Sequence, residues 1–130
     1  MMSLNPPPRS LQDVAVQTTQ GGNFSLLLSD FLDDFYRCPT PEALTARPTL
    51  MVGQHPEGSV LDAFLGAAAH SLSNSQGWPG PSWAFEEGRY LQRPFFPIRA
   101  PSFRATLLLE SPPPFRSRNL FVTANALSRA

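Results

Sequence analysis

Two arginines near the C-terminus have the type and spacing of a binding site for oxygen anions. They belong to the segment ESPPPFRSRNLFV, residues 110–122, in which Arg116 and Arg118 follow a triple proline. Because proline disfavours helix and favours extended backbone, alternate side chains here should point to one side. Two guanidinium groups on one side match carboxylate or phosphate oxygens in bidentate pairs. The acceptors are either groups of another protein or internal carboxylates, for which the candidates are Asp30, Asp33, Asp34 and Glu110.

Residues for metal or catalytic chemistry are few. The spacing of His55, His70 and Cys38 matches no zinc-ligand pattern, so we expect ordinary structural or surface roles for the histidines and apolar packing for Cys38. The chain has neither a nucleophile elbow nor a glycine-rich phosphate or dinucleotide loop. The carboxylates of residues 30–34 lie opposite an apolar helix face, where solvation is the usual role. We therefore predict no catalytic residue, no cofactor and no metal, and no enzyme activity.

The net charge of zero hides a division of the chain. Residues 1–88 hold three arginines against nine acidic residues, whereas residues 89–130 hold seven arginines against Glu110 alone. This asymmetry is either compensated within the fold or presented as a basic face to an acidic partner. Aromatic residues lie between the C-terminal arginines, as in proteins that stack on nucleic acids. The arginines are scattered, however, and a neutral chain attracts phosphates weakly, so nucleic-acid binding is an alternative of low affinity.

Four segments with apolar residues at helical spacing predict the main elements, at 10–20, 23–38, 59–75 and 100–111. Ser10 with Asp13, and Asn23, have the residue types of N-caps. Ser59 with Asp62 suggests the same for the third helix, and Gly77 ends it. A short helical turn is expected at 41–46 and another after Thr123, and the aromatic segment 78–98 is expected to be irregular or short-helical.

These elements predict a mainly α fold, a small bundle of about four helices with proline-rich connections and an irregular C-terminal segment rich in aromatics and arginine. Fifteen prolines in 130 residues separate the apolar segments and form no low-complexity tract. We expect a flexible tail at 1–9 and one domain at 10–130. No signal peptide or membrane span is apparent and the single cysteine suits a reducing compartment, so a cytoplasmic location without membrane contact is expected.

The C-terminal part, from about Arg89 onward, resembles a family of small uncharacterised bacterial proteins. Their ends follow the pattern R-P-x-F, then L-L-x-E-S-P, F-R-x-R-N-L-F-V and A-L-S-R-A. The residues of this chain that match are Arg93, Pro94 and Phe96, then Glu110, Ser111 and Pro112, then Phe115, Arg116, Arg118, Asn119, Leu120, Phe121 and Val122, and Ala126 to Ala130. The resemblance covers about a third of the chain and, more loosely, the helix at 23–38. It implies an antitoxin-like companion of nucleotidyltransferase-type proteins, as in toxin–antitoxin operons.

These observations lead to the prediction of a non-enzymatic module that binds another protein, with a nucleotidyltransferase-type toxin as the partner that the resemblance implies. The alternatives are a nucleic-acid-binding accessory protein and, less favoured, an enzyme of unknown class. Aromatic and arginine side chains dominate the energetics of protein interfaces, which places the predicted site in the C-terminal segment. The predicted partner-binding residues are Arg93, Phe96, Phe115, Arg116, Arg118, Asn119 and Phe121.

Overall fold

The computed structural model describes residues 6–96 and 104–128, and within them the protein is mainly helical, as predicted. The α-helices are α1 (Leu11–Thr19), α2 (Phe24–Arg37), α3 (Glu42–Thr45), α4 (Gly58–Gln76), α5 (Arg104–Glu110) and α6 (Pro113–Arg116). Two 3-10 helices, Ser82–Phe85 and Glu87–Arg89, occupy the aromatic segment. The start of the helix predicted at 100–111 and the last two residues lie outside the described residues. None of the described helices combines the length and apolarity required to span a bilayer.

The chain folds into two compact units, which we call the N-terminal unit (residues up to Thr49) and the C-terminal unit (Leu50–Ser128). In the N-terminal unit, α1 packs against α2. The two helices contribute the buried residues Leu11, Val14, Ala15, Leu28, Phe31, Leu32 and Phe35. The rings of Phe31 and Phe35, one turn apart, stack with centroids 5.8 Å apart. Their spacing follows the helical period, which explains why the apolar pattern located this core correctly.

The predicted N-caps of the first two helices are confirmed. The Ser10 hydroxyl accepts a hydrogen bond from the Asp13 N–H at 3.1 Å. The side-chain carbonyl of Asn23 accepts one from the Leu26 N–H at 3.0 Å. Each side chain satisfies an N–H group that the first turn of a helix leaves without an intrahelical partner.

Residues 1–5 of the predicted tail lie outside the described residues, and residues 6–9 contact α1. The Gln17 side-chain amide donates to the Pro6 carbonyl at 2.9 Å. The backbone N–H of Arg9 donates to an Asp13 carboxylate oxygen at 2.9 Å, and Pro8 is buried.

The C-terminal unit is built around α4, which packs against both 3-10 helices and α6. Its core comprises Ala63, Ala67, Phe115, Leu120 and Val122. Gly77 closes the helix in the left-handed conformation, with φ 74°. The cap predicted at the other end is wrong, because α4 begins at Gly58 after Glu57 and makes no side-chain cap hydrogen bond there.

The extended segment predicted after the triple proline is also wrong. Residues 113–116 form α6, with prolines in its first two positions. Those positions need no intrahelical N–H donor, and the fixed φ of proline suits them. A turn follows, and Leu120 then forms an isolated parallel bridge with Phe95. After Thr123, where a short helical turn was predicted, residues 124–127 form turns.

Candidate functional site: an apolar groove supported by buried arginines

The structure separates the predicted partner-binding residues into a buried group and an exposed group. Phe115 and Arg118 are fully buried, and Phe121 is 6% exposed. Phe96 and Asn119 are half-buried, whereas Arg93 and Arg116 are exposed. Phe96 stacks on Phe121 with ring centroids 5.0 Å apart. Of the predicted set, the two exposed arginines are therefore the side chains most accessible to a partner, and the buried residues are part of the fold.

Arg116 and Arg118 do not share a side, contrary to the prediction. Arg116 ends α6 and faces solvent, while Arg118 lies in the following turn with its side chain inside the unit. The Arg118 guanidinium donates to two backbone carbonyls, that of Pro114 at 2.8 Å and that of Ala84 at 2.7 Å. Within the described residues its acceptors are carbonyl oxygens and a histidine nitrogen, so the internal carboxylate clamp considered from the sequence does not form at this residue.

Aromatic rings surround the buried Arg118 guanidinium. Its central carbon lies 4.7 Å from the Tyr90 ring centre and 5.5 Å from that of Phe85. A planar, weakly hydrated cation stacks favourably on such rings. Burial lowers the pKa of Arg118 from its ordinary value, and the nearby Tyr90 acts in the opposite direction. The carbonyl and aromatic contacts therefore replace part of the hydration that the cation loses, and the buried Arg118 Nε makes no hydrogen bond to a described residue.

His70, on α4, completes the surroundings of Arg118. Its Nδ1 lies 3.2 Å from Arg118 Nη1, so the neutral ring accepts a hydrogen bond from the guanidinium through that nitrogen. The His70 ring also meets Phe85 edge to face, with centroids 4.8 Å apart. Burial lowers the pKa of His70 below its ordinary 6.5, and the positive charge of Arg118 lowers it further.

A second buried arginine pairs with a carboxylate of α4. Arg89 Nη1 lies 3.8 Å from an Asp62 oxygen, and both side chains are at most 1% exposed. Asp62 also accepts the backbone N–H groups of Met51 at 2.7 Å and Val52 at 3.1 Å. The residue expected to cap α4 thus binds the chain that precedes the helix. Trp83 stacks on Arg89, with the guanidinium carbon 4.9 Å from the ring centre.

Gly66 permits α4 to pass close to both arginines. A Cβ atom there would lie 2.9 Å from Arg89 Cβ and 3.2 Å from Arg118 Nε. In the sequence, Gly66 stands out only as an interruption of the helical pattern. Its function is to leave room for two long cations beside the helix axis.

The turn that holds Arg118 also fixes the segment 90–95, through hydrogen bonds at Leu91 and Phe95. The Leu91 N–H donates to the Arg118 carbonyl at 3.2 Å, and the Asn119 side-chain amide donates to the Leu91 carbonyl at 2.7 Å. The Phe95 N–H donates to the Asn119 carbonyl at 2.8 Å. Asn119 has φ 63°, a left-handed conformation that asparagine tolerates better than most residues. Asn119 was predicted to contact a partner; in the structure it shapes the turn.

The fixed segment 90–95 forms one wall of a groove of about 680 Å³ in the C-terminal unit. The remaining lining residues are Ser59 and Val60 at the start of α4, Val52 before that helix, and Glu87 and Gly88. The lining residues Val60, Leu91 and Phe95 also pack against the core, so the apolar floor is continuous with the unit's interior. Val52 is 54% exposed at the groove. Arg93, predicted from the sequence, is therefore one of the lining residues of a groove with an apolar floor.

The residues considered for metal or redox chemistry have ordinary surroundings. In residues 6–96 and 104–128, no cluster of three or more histidine, cysteine or acidic side chains could hold a metal ion. Asp30, Asp33 and Asp34 are exposed, as expected for a solvated helix face. The apolar packing expected for Cys38 is wrong, because this free cysteine follows the last turn of α2 and is exposed.

Sequence reasoning missed the burial of Arg89 and Asp62, and it missed the lining residues of the groove other than Arg93. Arginine and aspartate are usually exposed, so nothing in their identity indicated burial. The available signal was local: Asp62 interrupts an otherwise apolar helix face.

Comparisons of the chain with protein-family models, with curated proteins and with solved structures found no match.

Proposed function

We propose that this protein is a non-enzymatic, cytoplasmic binding module whose groove receives a segment of another protein. The observation that carries the proposal is that Arg93 lines the same groove as the apolar floor residues Val60, Leu91 and Phe95. Protein interfaces combine such an apolar centre with a polar rim, and they are enriched in arginine and aromatic residues. The wall is fixed from behind by the Arg118–Asn119 turn, which reduces the ordering cost of binding.

The partner we propose is a nucleotidyltransferase-type protein, towards which the chain acts in an antitoxin-like manner. This part of the proposal rests on the resemblance of the C-terminal segment, residues 93–130. Residues Phe115, Arg118 and Phe121 of that pattern support the fold by burial. Arg93 and Arg116 are exposed and available for contact.

Nucleic-acid binding receives less support from the structure. Among the C-terminal arginines, Arg89 and Arg118 are fully buried and therefore cannot reach phosphate groups. We expect duplex DNA and single-stranded RNA to bind weakly and to dissociate when salt is raised. Fluorescence anisotropy in a salt titration measures this, and nanomolar, sequence-dependent binding at physiological salt would favour the nucleic-acid alternative.

A pull-down with the nucleotidyltransferase-type protein as bait tests the groove. Ser59 is exposed and lines the groove, so Ser59→Trp should fill it while the fold is kept. We expect Ser59→Trp to lose binding and Arg93→Glu to weaken it. Arg37→Glu is the charge-matched control, since Arg37 is exposed on α2 in the other unit and should bind as the parent does. Undiminished binding by Ser59→Trp, with an unchanged melting temperature, would exclude the groove.

A further inference from the structure

Side-chain chemistry, rather than added strand pairing, decides what the groove can bind. Pro94 lies in the middle of the wall and has no N–H to donate to an incoming strand. On the opposite edge, Leu91 and Phe95 already use their backbone groups to bind the 118–121 segment. A partner therefore gains little from backbone hydrogen bonds to this wall, and its side chains must supply the affinity.

The charged side chains of the described lining are of opposite sign. Glu87 belongs to the second 3-10 helix and Arg93 to the bent segment after it, and both are exposed. Between them in sequence come Tyr90 and Leu91, which contribute aromatic and apolar surface. The groove thus offers one acceptor of cations, one partner for carboxylates and an apolar floor.

From this arrangement we propose that the occupant is a short extended peptide segment of another protein with an apolar side chain flanked by a basic and an acidic residue. The apolar side chain contacts Val60 and Phe95, the basic residue pairs with Glu87 and the acidic residue pairs with Arg93. This inference rests on the proposed function, and it adds the chemistry of the partner. Because both pairs are at the rim, they set which sequence and which direction of the peptide is accepted more than they raise affinity.

The test is a selection of ten-residue peptides from a random display library, made in parallel on the parent and on the double variant Glu87→Arg with Arg93→Glu. The parent should enrich peptides with one basic and one acidic residue around an apolar one. The double variant should enrich the same apolar residue with the two charges exchanged. A peptide selected on the parent should bind the double variant about tenfold more weakly, since two attractions become two repulsions, and its charge-exchanged form should recover the loss.

Three controls separate this inference from the proposed function. Circular dichroism melting checks that each variant is folded, and Arg37→Glu should leave peptide binding unchanged. If Ser59→Trp abolishes binding but the double variant selects the same peptides as the parent, the charge assignment is wrong and the groove remains the binding site. If binding survives in Ser59→Trp as well, the groove is excluded and both proposals fail. A homodimer that Ser59→Trp dissociates in sedimentation would assign the groove to a second copy and overturn the peptide inference.

Discussion

The guanidinium carbon of Arg118 lies 4.7 Å from the centre of the Tyr90 ring, inside a unit where the arginine side chain has no exposed surface. Tyr90 lines the groove on which the proposed function depends. The contact therefore connects the interior of the C-terminal unit to its proposed binding surface.

The same substitution should destabilise the protein strongly at Arg118 and hardly at all at Arg116. Arg118→Glu places a carboxylate opposite the Pro114 and Ala84 carbonyls and removes the stacking cation, so we expect a loss of at least about 3 kcal/mol. Arg116→Glu changes an exposed residue and should shift the free energy of unfolding by less than about 0.5 kcal/mol. Urea denaturation of the two single variants measures both values. Equal losses would contradict the assigned positions.

Asp62→Asn should destabilise the C-terminal unit strongly. The change keeps the size of the side chain but removes the negative charge beside Arg89, and it leaves one oxygen for the two N–H groups of Met51 and Val52. Breaking a buried ion pair by removing one charge costs about 3–5 kcal/mol. Asp30→Asn is the matched control, because Asp30 is exposed. If both variants have the urea midpoint of the parent, the buried pair contributes nothing to stability.

Gly66→Ala should lower the melting temperature although alanine favours helices. Its Cβ would lie 2.9 Å from Arg89 Cβ and 3.2 Å from the Ala84 carbonyl oxygen, so helix and arginines must separate. Overpacking of this kind costs about 1–3 kcal/mol, and most of that range lies above the helix-propensity gain of about 1 kcal/mol. Gly88→Ala is the control, since a Cβ there meets only the Leu50 side chain, at 3.4 Å or more. A melting temperature raised by Gly66→Ala would show that the arginines move away easily.

Acid should destabilise the parent through His70. Its pKa is lowered in the folded state, so the unfolded chain takes up the proton first as the pH falls below the ordinary 6.5. The contribution of His70 is therefore fully present above that pH and is lost below it, until the folded pKa is passed. In His70→Gln this part of the pH dependence should disappear. The urea midpoints of the parent and of His70→Gln are compared at about pH 5 and about pH 8. If the midpoint falls by the same amount between these two pH values in both proteins, His70 is not the cause.

The helices of the N-terminal unit were predictable because their caps and apolar faces agree. Asn23 caps α2, and Phe31 and Phe35 share the buried face of that helix, so local and tertiary preferences coincide. The apolar stripe of α4 likewise located that helix to within a residue at each end. Sequence patterning was therefore sufficient wherever a helix buries an apolar stripe.

The C-terminal unit departs from prediction where burial depends on distant partners. Arg118 meets Ala84 and His70, which are 34 and 48 residues away in sequence, and no local pattern encodes those contacts. The triple proline favoured an extended chain, whereas Pro113 and Pro114 occupy the helix positions that tolerate proline. Of the groove, sequence analysis identified Arg93 but not its apolar floor, since Val60 and Phe95 were indistinguishable from core residues.

Arg116 is exposed and Arg118, two residues later, is buried, so proteolysis at these arginines can measure local opening of the chain. Trypsin must draw an arginine side chain into its specificity pocket, which the exposed Arg116 permits and the enclosed Arg118 does not. In the native protein, cleavage after Arg118 requires that its turn first leave the Tyr90 ring. The rate of cleavage after Arg118 therefore reports how often this turn opens, without any label or substitution.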